Sequence, residues 1–316
     1  MLRLCLPGTY NPSADSDGGM AGITSSVERF ETGMATARES LAVSTDPEHL
    51  LTAAFLSEAP GERLALVERA LAAAPADPHL LRRAVEFCQQ AGGASECPLE
   101  RWEQRLLDAD SQNSEAWILV ATNRYERGDH AGALSAVQQA AASPETRRYW
   151  PETVALANRA LGAATRREYS AGIYDALSIA FTMVSDKRRR PMCESASGST
   201  EWVDACLRYG ETLERQARVT IDHLNGVTLQ LQALQIRGDN EQLAAVIERR
   251  DALMARPMPD ATQTQAIAML LYADAVAQQT WLDTYMREDE ITAQAYLTEE
   301  LSRHLEADDR LDCRPP

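Results

Sequence analysis

Long apolar runs are missing from this chain. No stretch approaches the ~20 consecutive apolar residues of a bilayer-crossing helix, so no membrane span is expected. The opening stretch, MLRLCLPGTYNPSADSDGGMAG, lacks the apolar core of about 7–15 residues found in a secretory signal. Residues 1–39 are therefore expected to be a flexible segment. Positive charge is short too, with 31 Lys and Arg against 47 Asp and Glu, a formal net charge of −16. That balance repels phosphate backbones and anionic headgroups and argues against nucleic-acid or membrane-surface binding. Aromatics make up only 6 % of the 316 residues. Segments as β-branched and aromatic as a sheet needs are few. Ala, Leu, Glu, Gln and Arg abound instead, and these favour helix. The expected class is all-α.

Recognisable chemistry is equally sparse. There is no GxSxG, no HExxH, no phosphate loop and no GxGxxG. The histidines (49, 79, 130, 223 and 304) are scattered, and no cysteine pair has the C-x₂₋₄-C spacing of a thiolate site. No metal and no cofactor is expected. DDRLD, Asp308 to Asp312, copies the spacing of a Mg²⁺–diphosphate motif. It stands beside Cys313 at the end of the chain with no second Asp-rich motif, and reads as a charged tail. REDE, Arg287 to Glu290, reads as a solvated helix start, and nearby Trp281 and Tyr285 read as core residues. The one basic cluster, DKRRRP from Asp186 to Pro191, reads as a solvated helix end, with a local anion contact as the alternative.

Four cysteines fall into two local pairs, Cys88 with Cys97 and Cys193 with Cys206, each bracketing a small polar turn. Two disulfides stapling two helix junctions are expected, leaving Cys5 and Cys313 free or joined to each other. Persisting disulfides imply an oxidising compartment, periplasmic or secreted. The alternative is buried free thiols in a cytoplasmic protein.

The stretch SEAWILVATNRYERGDHAGALSAVQQAAASP, Ser114 to Pro144, pairs two helix-forming segments across a Gly128-Asp129 turn. Val120-Ala121 set a large residue beside a small one, and Ala133-Leu134, Val137 and Ala140 recur at helical spacing. Upstream, PHLLRRAVEFCQQAGG and PLERWEQRLLDAD form a second pair. DPEHLLTAAFLSEAPGERLALVERALAAAPADP is a degenerate third, whose second helix stops at Pro75. Ala70, Leu106 and Ala140 hold the same place in successive units, 36 and then 34 residues apart. These residues resemble tetratricopeptide repeats, helix–turn–helix units of 34 residues. Trp117 matches the position the family usually fills with Trp, and is expected deep between the helices of its unit. Arg124 departs from the pattern, which has an aromatic there. Tyr125 comes one place late.

Past Pro151 the period fades but helices continue. PETVALANRALGAA and EYSAGIYDALSIAFTMVS read as a fourth hairpin. Amphipathic segments follow at 202–221, 224–236, 241–254, 265–279 and 290–306, with a Pro-rich break at 255–264. The expected architecture is a tetratricopeptide-like antiparallel helix-hairpin array over 40–185, followed by a C-terminal α-helical region over 186–316.

The resemblance implies a concave face lined by the first helix of each unit. On it would lie Glu115, Ile118, Thr122, Tyr125 and Glu126, and from the preceding unit His79, Arg82, Glu86, Gln89 and Gln90. The Lys and Asn with which the family clamps chaperone C-terminal carboxylates do not occur at these positions. The expected function is non-catalytic binding of a protein or peptide. The alternatives are an all-α enzyme with dispersed catalytic residues and a self-associating scaffold.

Overall fold

The computed structural model describes residues 32–90, 97–165, 176, 188–195, 198–255 and 261–307. Every named element among them is a helix. In chain order these are α1 (32–42), α2 (Pro47–Leu56), α3 (Pro60–Ala73), α4 (Pro78–Gln90) and α5 (Leu99–Asp110). Next come α6 (Ser114–Glu126), α7 (His130–Ala142), α8 (Trp150–Thr165), α9 (Arg189–Ser195) and α10 (Thr200–Gln216). The last five are α11 (Thr220–Arg237), α12 (Asn240–Met254), α13 (Ala261–Ala273), α14 (Ala275–Arg287) and α15 (Glu290–Ala307). The only β pairing among the described residues is an isolated bridge, Asn113 with Glu145.

Local chemistry sets the helix ends. Pro47 and Pro60 sit in the first turns of α2 and α3, where a missing amide costs nothing. Asp46, Asn113, Asp129 and Asp239 cap α2, α6, α7 and α12 with their side-chain oxygens. Gly128, at φ 81°, makes the left-handed turn between α6 and α7. The segment expected as one helix over 265–279 is two, because Asp274 takes extended backbone and caps α14 through the Val276 and Ala277 amides. The 202–221 helix likewise breaks at Ala217, and α11 begins at Thr220. Helix α1 begins at 32, inside the segment expected to be flexible. The partner expected for α8, residues 168–185, lies outside the described residues except for Ala176, which is buried.

Sequential helices pack on one another from α2 through α7, and the stack continues as α7 on α10, α10 on α11 and α11 on α12. This is a helical-repeat type of arrangement in general terms. Ala70, Leu106 and Ala140, the periodic positions, are all fully buried. Trp117 is only half-buried: it bridges two hydrophobic clusters, and its indole N–H reaches solvent-side Ser111 O at 2.8 Å. That hydrogen bond ties the ring to the α5–α6 connection. Between α10 and α11 the backbones nearly touch. A Cβ on Gly226 would lie 2.5 Å from Glu214 N and 2.7 Å from Gly210 O.

Helix α8 leaves the stack and runs back along the first helices. Thr153 reaches α4, and Arg159 pairs with Glu48 of α2 at 2.6 Å. On its other side Asn158 bonds Gln278 of α14 at 3.0 Å. One hydrophobic cluster therefore joins residues of α1–α6 and α8 to Leu270, Trp281, Tyr285 and Leu297 of the C-terminal helices. Both expected disulfide pairs are bonded. Cys88–Cys97, with Cα atoms 5.8 Å apart, joins the end of α4 to the start of α5. Cys193–Cys206, at 6.0 Å, joins α9 to α10.

Candidate functional site

The face formed by α4 and α6 is where the sequence places a binding groove, and the structure fills it with the chain itself. The filling starts at the α7–α8 connection. Pro144 follows the end of α7, and residues 145–149 run on without helix beside the start of α6. Asn113, fully buried, stitches them there. Its amide N–H donates to Arg147 O at 2.8 Å, and its amide oxygen accepts from Arg147 N at 2.8 Å and Glu115 N at 3.0 Å. Ser114 N donates to Glu145 O at 2.8 Å. Arg148 and Tyr149 are thereby delivered onto the face.

At its centre lies Glu115, which has no exposed surface. Arg189 of α9 grips both carboxylate oxygens. Arg148 approaches at 3.3 Å and Arg82 of α4 at 3.5 Å. The Tyr209 hydroxyl of α10 donates to Glu115 Oε1 at 3.2 Å. Burial alone would raise the Glu115 pKa. Arg189, then Arg148 and Arg82, outweigh burial and hold it well below the usual carboxylate range. Arg148 also pairs with buried Asp222 of α11 at 2.6 Å. Arg82 and Arg83 share Glu86. Six segments of the chain thus meet through charge-assisted hydrogen bonds, the stronger kind.

A second chain of hydrogen bonds runs alongside. Tyr149, at φ 60°, is the described non-glycine residue in left-handed backbone. Such backbone costs a side-chain-bearing residue about 1–2 kcal/mol. What holds it there is visible. Its ring stacks on His79 at 5.2 Å, its hydroxyl donates to Asp110 at 3.0 Å, and its carbonyl accepts from Thr153 N at 2.9 Å and Thr153 Oγ1 at 2.6 Å. Thr153 Oγ1 has a single hydrogen, spent on Tyr149 O, and it accepts from Arg83 at 3.0 Å. The 2.9 Å contact with His79 Nε2 must then carry the imidazole hydrogen, so His79 is the Nε2–H tautomer. Burial, followed by Arg83, Arg82 and Arg147, pushes the His79 pKa well below its ordinary 6.5 and keeps the ring neutral. Burial, against the Asn113 and Tyr149 bonds, raises Asp110.

The expected face residues therefore occupy the predicted side of their helices but not an open surface. Glu115, Ile118, Thr122, His79 and Arg82 are buried, and Glu86 and Gln89 are partly buried. Tyr125 turns towards α10, with its ring 5.8 Å from Trp202, while Glu126 and Gln90 remain exposed at the rim. The basic cluster is corrected as well. Arg189 begins α9, with Pro191 inside the helix, and makes an anion contact in the interior; Asp186 and Lys187 lie outside the described residues. Arg148, Tyr149, Thr153, Tyr209 and Asp222 escaped sequence reasoning, and Arg189 was singled out only as part of the basic cluster. Charged and polar residues outside the repeat period carry no sign of burial.

Beside the network lies a small cavity of about 20 Å³, in volume about that of one water. Arg147, Arg148, Trp150, Glu152, Asp222 and Tyr285 line it. Among the described residues, no group of His, Cys, Asp or Glu is placed to hold a metal ion, and no helix is long and apolar enough to cross a membrane. No family model matches the chain, and no curated protein is significantly similar to it. What it shows is an all-α helical-repeat type of chain with two disulfides, which fit an oxidising environment.

Proposed function

We propose that this chain is a non-catalytic, protein-binding helical-repeat protein, tetratricopeptide-like over its N-terminal hairpins, working in the periplasm or outside the cell. The observation that carries the reading is that the α4–α6 face already holds polypeptide. Residues 188–189 lie on it, bonded to Gln89, Glu115, Asn123 and Glu126. A face that satisfies one segment's side chains has the donor and acceptor geometry to hold another. The repeat assignment is supported by the buried 36- and 34-residue spacing of Ala70, Leu106 and Ala140, and by the left-handed Gly128 turn. The compartment is supported by the two staples.

The test is capture from native-host extract using the intact oxidised protein as bait. A Gln89→Ala/Tyr125→Ala/Glu126→Ala bait serves as the control, since these side chains ring the face. A protein partner enriched by the first and lost by the second is the expected result. Equal recovery by both baits would refute a binding role for this face. Thiol mapping of the native-host protein checks the compartment: Cys88, Cys97, Cys193 and Cys206 should resist alkylation until reduced.

A further inference from the structure

Arg188 and Arg189 sit on the α4–α6 face as a ligand sits in a receptor. Arg188 donates to Gln89 Oε1 at 2.6 Å and to Asn123 Oδ1 and Glu126 Oε2 at 3.3 Å each. Arg189 clasps Glu115 and donates to the Tyr209 hydroxyl at 2.7 Å. Three residues on, Met192 is buried in the cluster that contains Ile118, Ala121 and Trp202. Helix α9 spans only seven residues, too few to persist on local bonding. Its placement rests on these contacts, on the Cys193–Cys206 bond and on α11, where Gln232 donates to Glu194.

The acceptors are supported independently of this segment. Without Arg189, Glu115 keeps Arg82 and Arg148. Asn123 is fixed by its amide N–H to Glu103 at 2.9 Å, and Glu103 is itself held by Arg127. Removing the segment would therefore leave a standing set of oxygens arranged for two neighbouring guanidinium groups. Resting on the binding reading above, we propose that residues 188–195 are an intramolecular ligand of this face. The partner that competes with them is a polypeptide segment carrying Arg-Arg with an apolar residue three positions after the second arginine.

The disulfide sets how hard the segment is to displace. It closes a loop across 13 residues. In the chain-entropy model such a closure favours the attached state on the order of 100-fold. Planar guanidinium, and not ammonium, matches a two-oxygen clasp of the Glu115 kind.

The probe is a fluorescein-labelled peptide of residues 186–195 carrying Cys193→Ser, titrated into the full-length chain and read by anisotropy. Saturable binding to the Cys193→Ser/Cys206→Ser protein is expected, at least ~10-fold tighter than to the oxidised wild type. Peptide with Arg188→Lys/Arg189→Lys should bind at least ~10-fold more weakly. Equal binding of the arginine and lysine peptides would overturn the proposal. So would absence of binding to a double variant that keeps wild-type helical circular dichroism.

If that variant does not fold, Arg188→Ala/Arg189→Ala with the disulfide intact reads the same acceptors. Millimolar methylguanidinium should raise its melting temperature more than equimolar sodium chloride does, and equal effects would overturn the proposal. Partners captured by the wild type without any peptide binding would remove this inference and leave the binding reading. Peptide binding without a captured partner would do the reverse.

Discussion

Glu115 carries the largest single-residue consequence. Its carboxylate, itself without exposed surface, faces Arg82, Arg148 and Arg189. Glu115→Gln removes the charge that compensates them at almost constant shape. Breaking one side of a buried ion pair costs about 3–5 kcal/mol, and chemical denaturation should show a loss of that size. His79 contributes a different dependence. Its folded pKa is depressed below 6.5 by burial and by Arg83, Arg82 and Arg147. The unfolded chain therefore binds more protons as pH falls through 6.5, and stability drops from there downwards. Glu115 and Glu86, also depressed below 4.5, add their losses only as pH falls past that value. Asp110, raised above 3.8, acts in the opposite sense, gaining stability as it protonates. His79→Gln keeps a donor to Thr153 and does not titrate. Its stability between pH 6.5 and 5 should be flatter than that of the wild type, and an identical slope would assign the loss elsewhere.

At the scale of elements, the α10–α11 crossing is the tightest joint. Gly226→Ala would press a methyl onto the Glu214 and Gly210 backbones, which have no flexible end to yield. Overpacking of that kind costs about 1–3 kcal/mol or more. Gly162 of α8 has open space where its Cβ would be, so Gly162→Ala should stabilise by about 0.5–1 kcal/mol through helix propensity. Melting temperatures of the two variants should move in opposite directions. This joint was illegible in the sequence, because nothing local distinguishes Gly210 and Gly226 from a helix-weakening glycine. The sequential helices α2–α7 were legible: Ala70, Leu106 and Ala140 recur at spacings of 36 and 34 residues and are buried, and Gly128, Asp129 and the prolines mark the ends. Asp274 was misread as mid-helix because a cap differs from an exposed helical Asp only in its backbone angles. The covering of the α4–α6 face was invisible for a further reason. Arg148, Arg189 and Asp222 come from segments that only the tertiary path of the chain brings together.

Across the whole molecule, the two staples act on different parts. Cys88–Cys97 closes the α4–α5 junction, and Cys193–Cys206 holds α9 against the stack. Replacing Cys88 and Cys97 by Ser should cost about 2–4 kcal/mol while leaving the α4–α6 face occupied. Hydrogen exchange at residues 188–195 provides the check: protection there should be unchanged in that variant.

The polar network also bears on time as well as on stability. Arg189 meets Glu115 across 74 residues, Tyr209 meets it across 94, and Asn158 meets Gln278 across 120. Contacts that span such loops form only after the loops have closed, whereas each hairpin assembles from near neighbours. The ion cluster is thus expected to be absent from the rate-limiting barrier to folding and present only beyond it. Glu115→Gln should leave the refolding rate within about twofold and speed unfolding by about 100-fold or more. Stopped-flow unfolding and refolding would separate the two rates, and a slowed refolding arm would place the cluster in the folding nucleus instead. The buried charges act as a late latch: they lengthen the lifetime of the native chain without helping it to form.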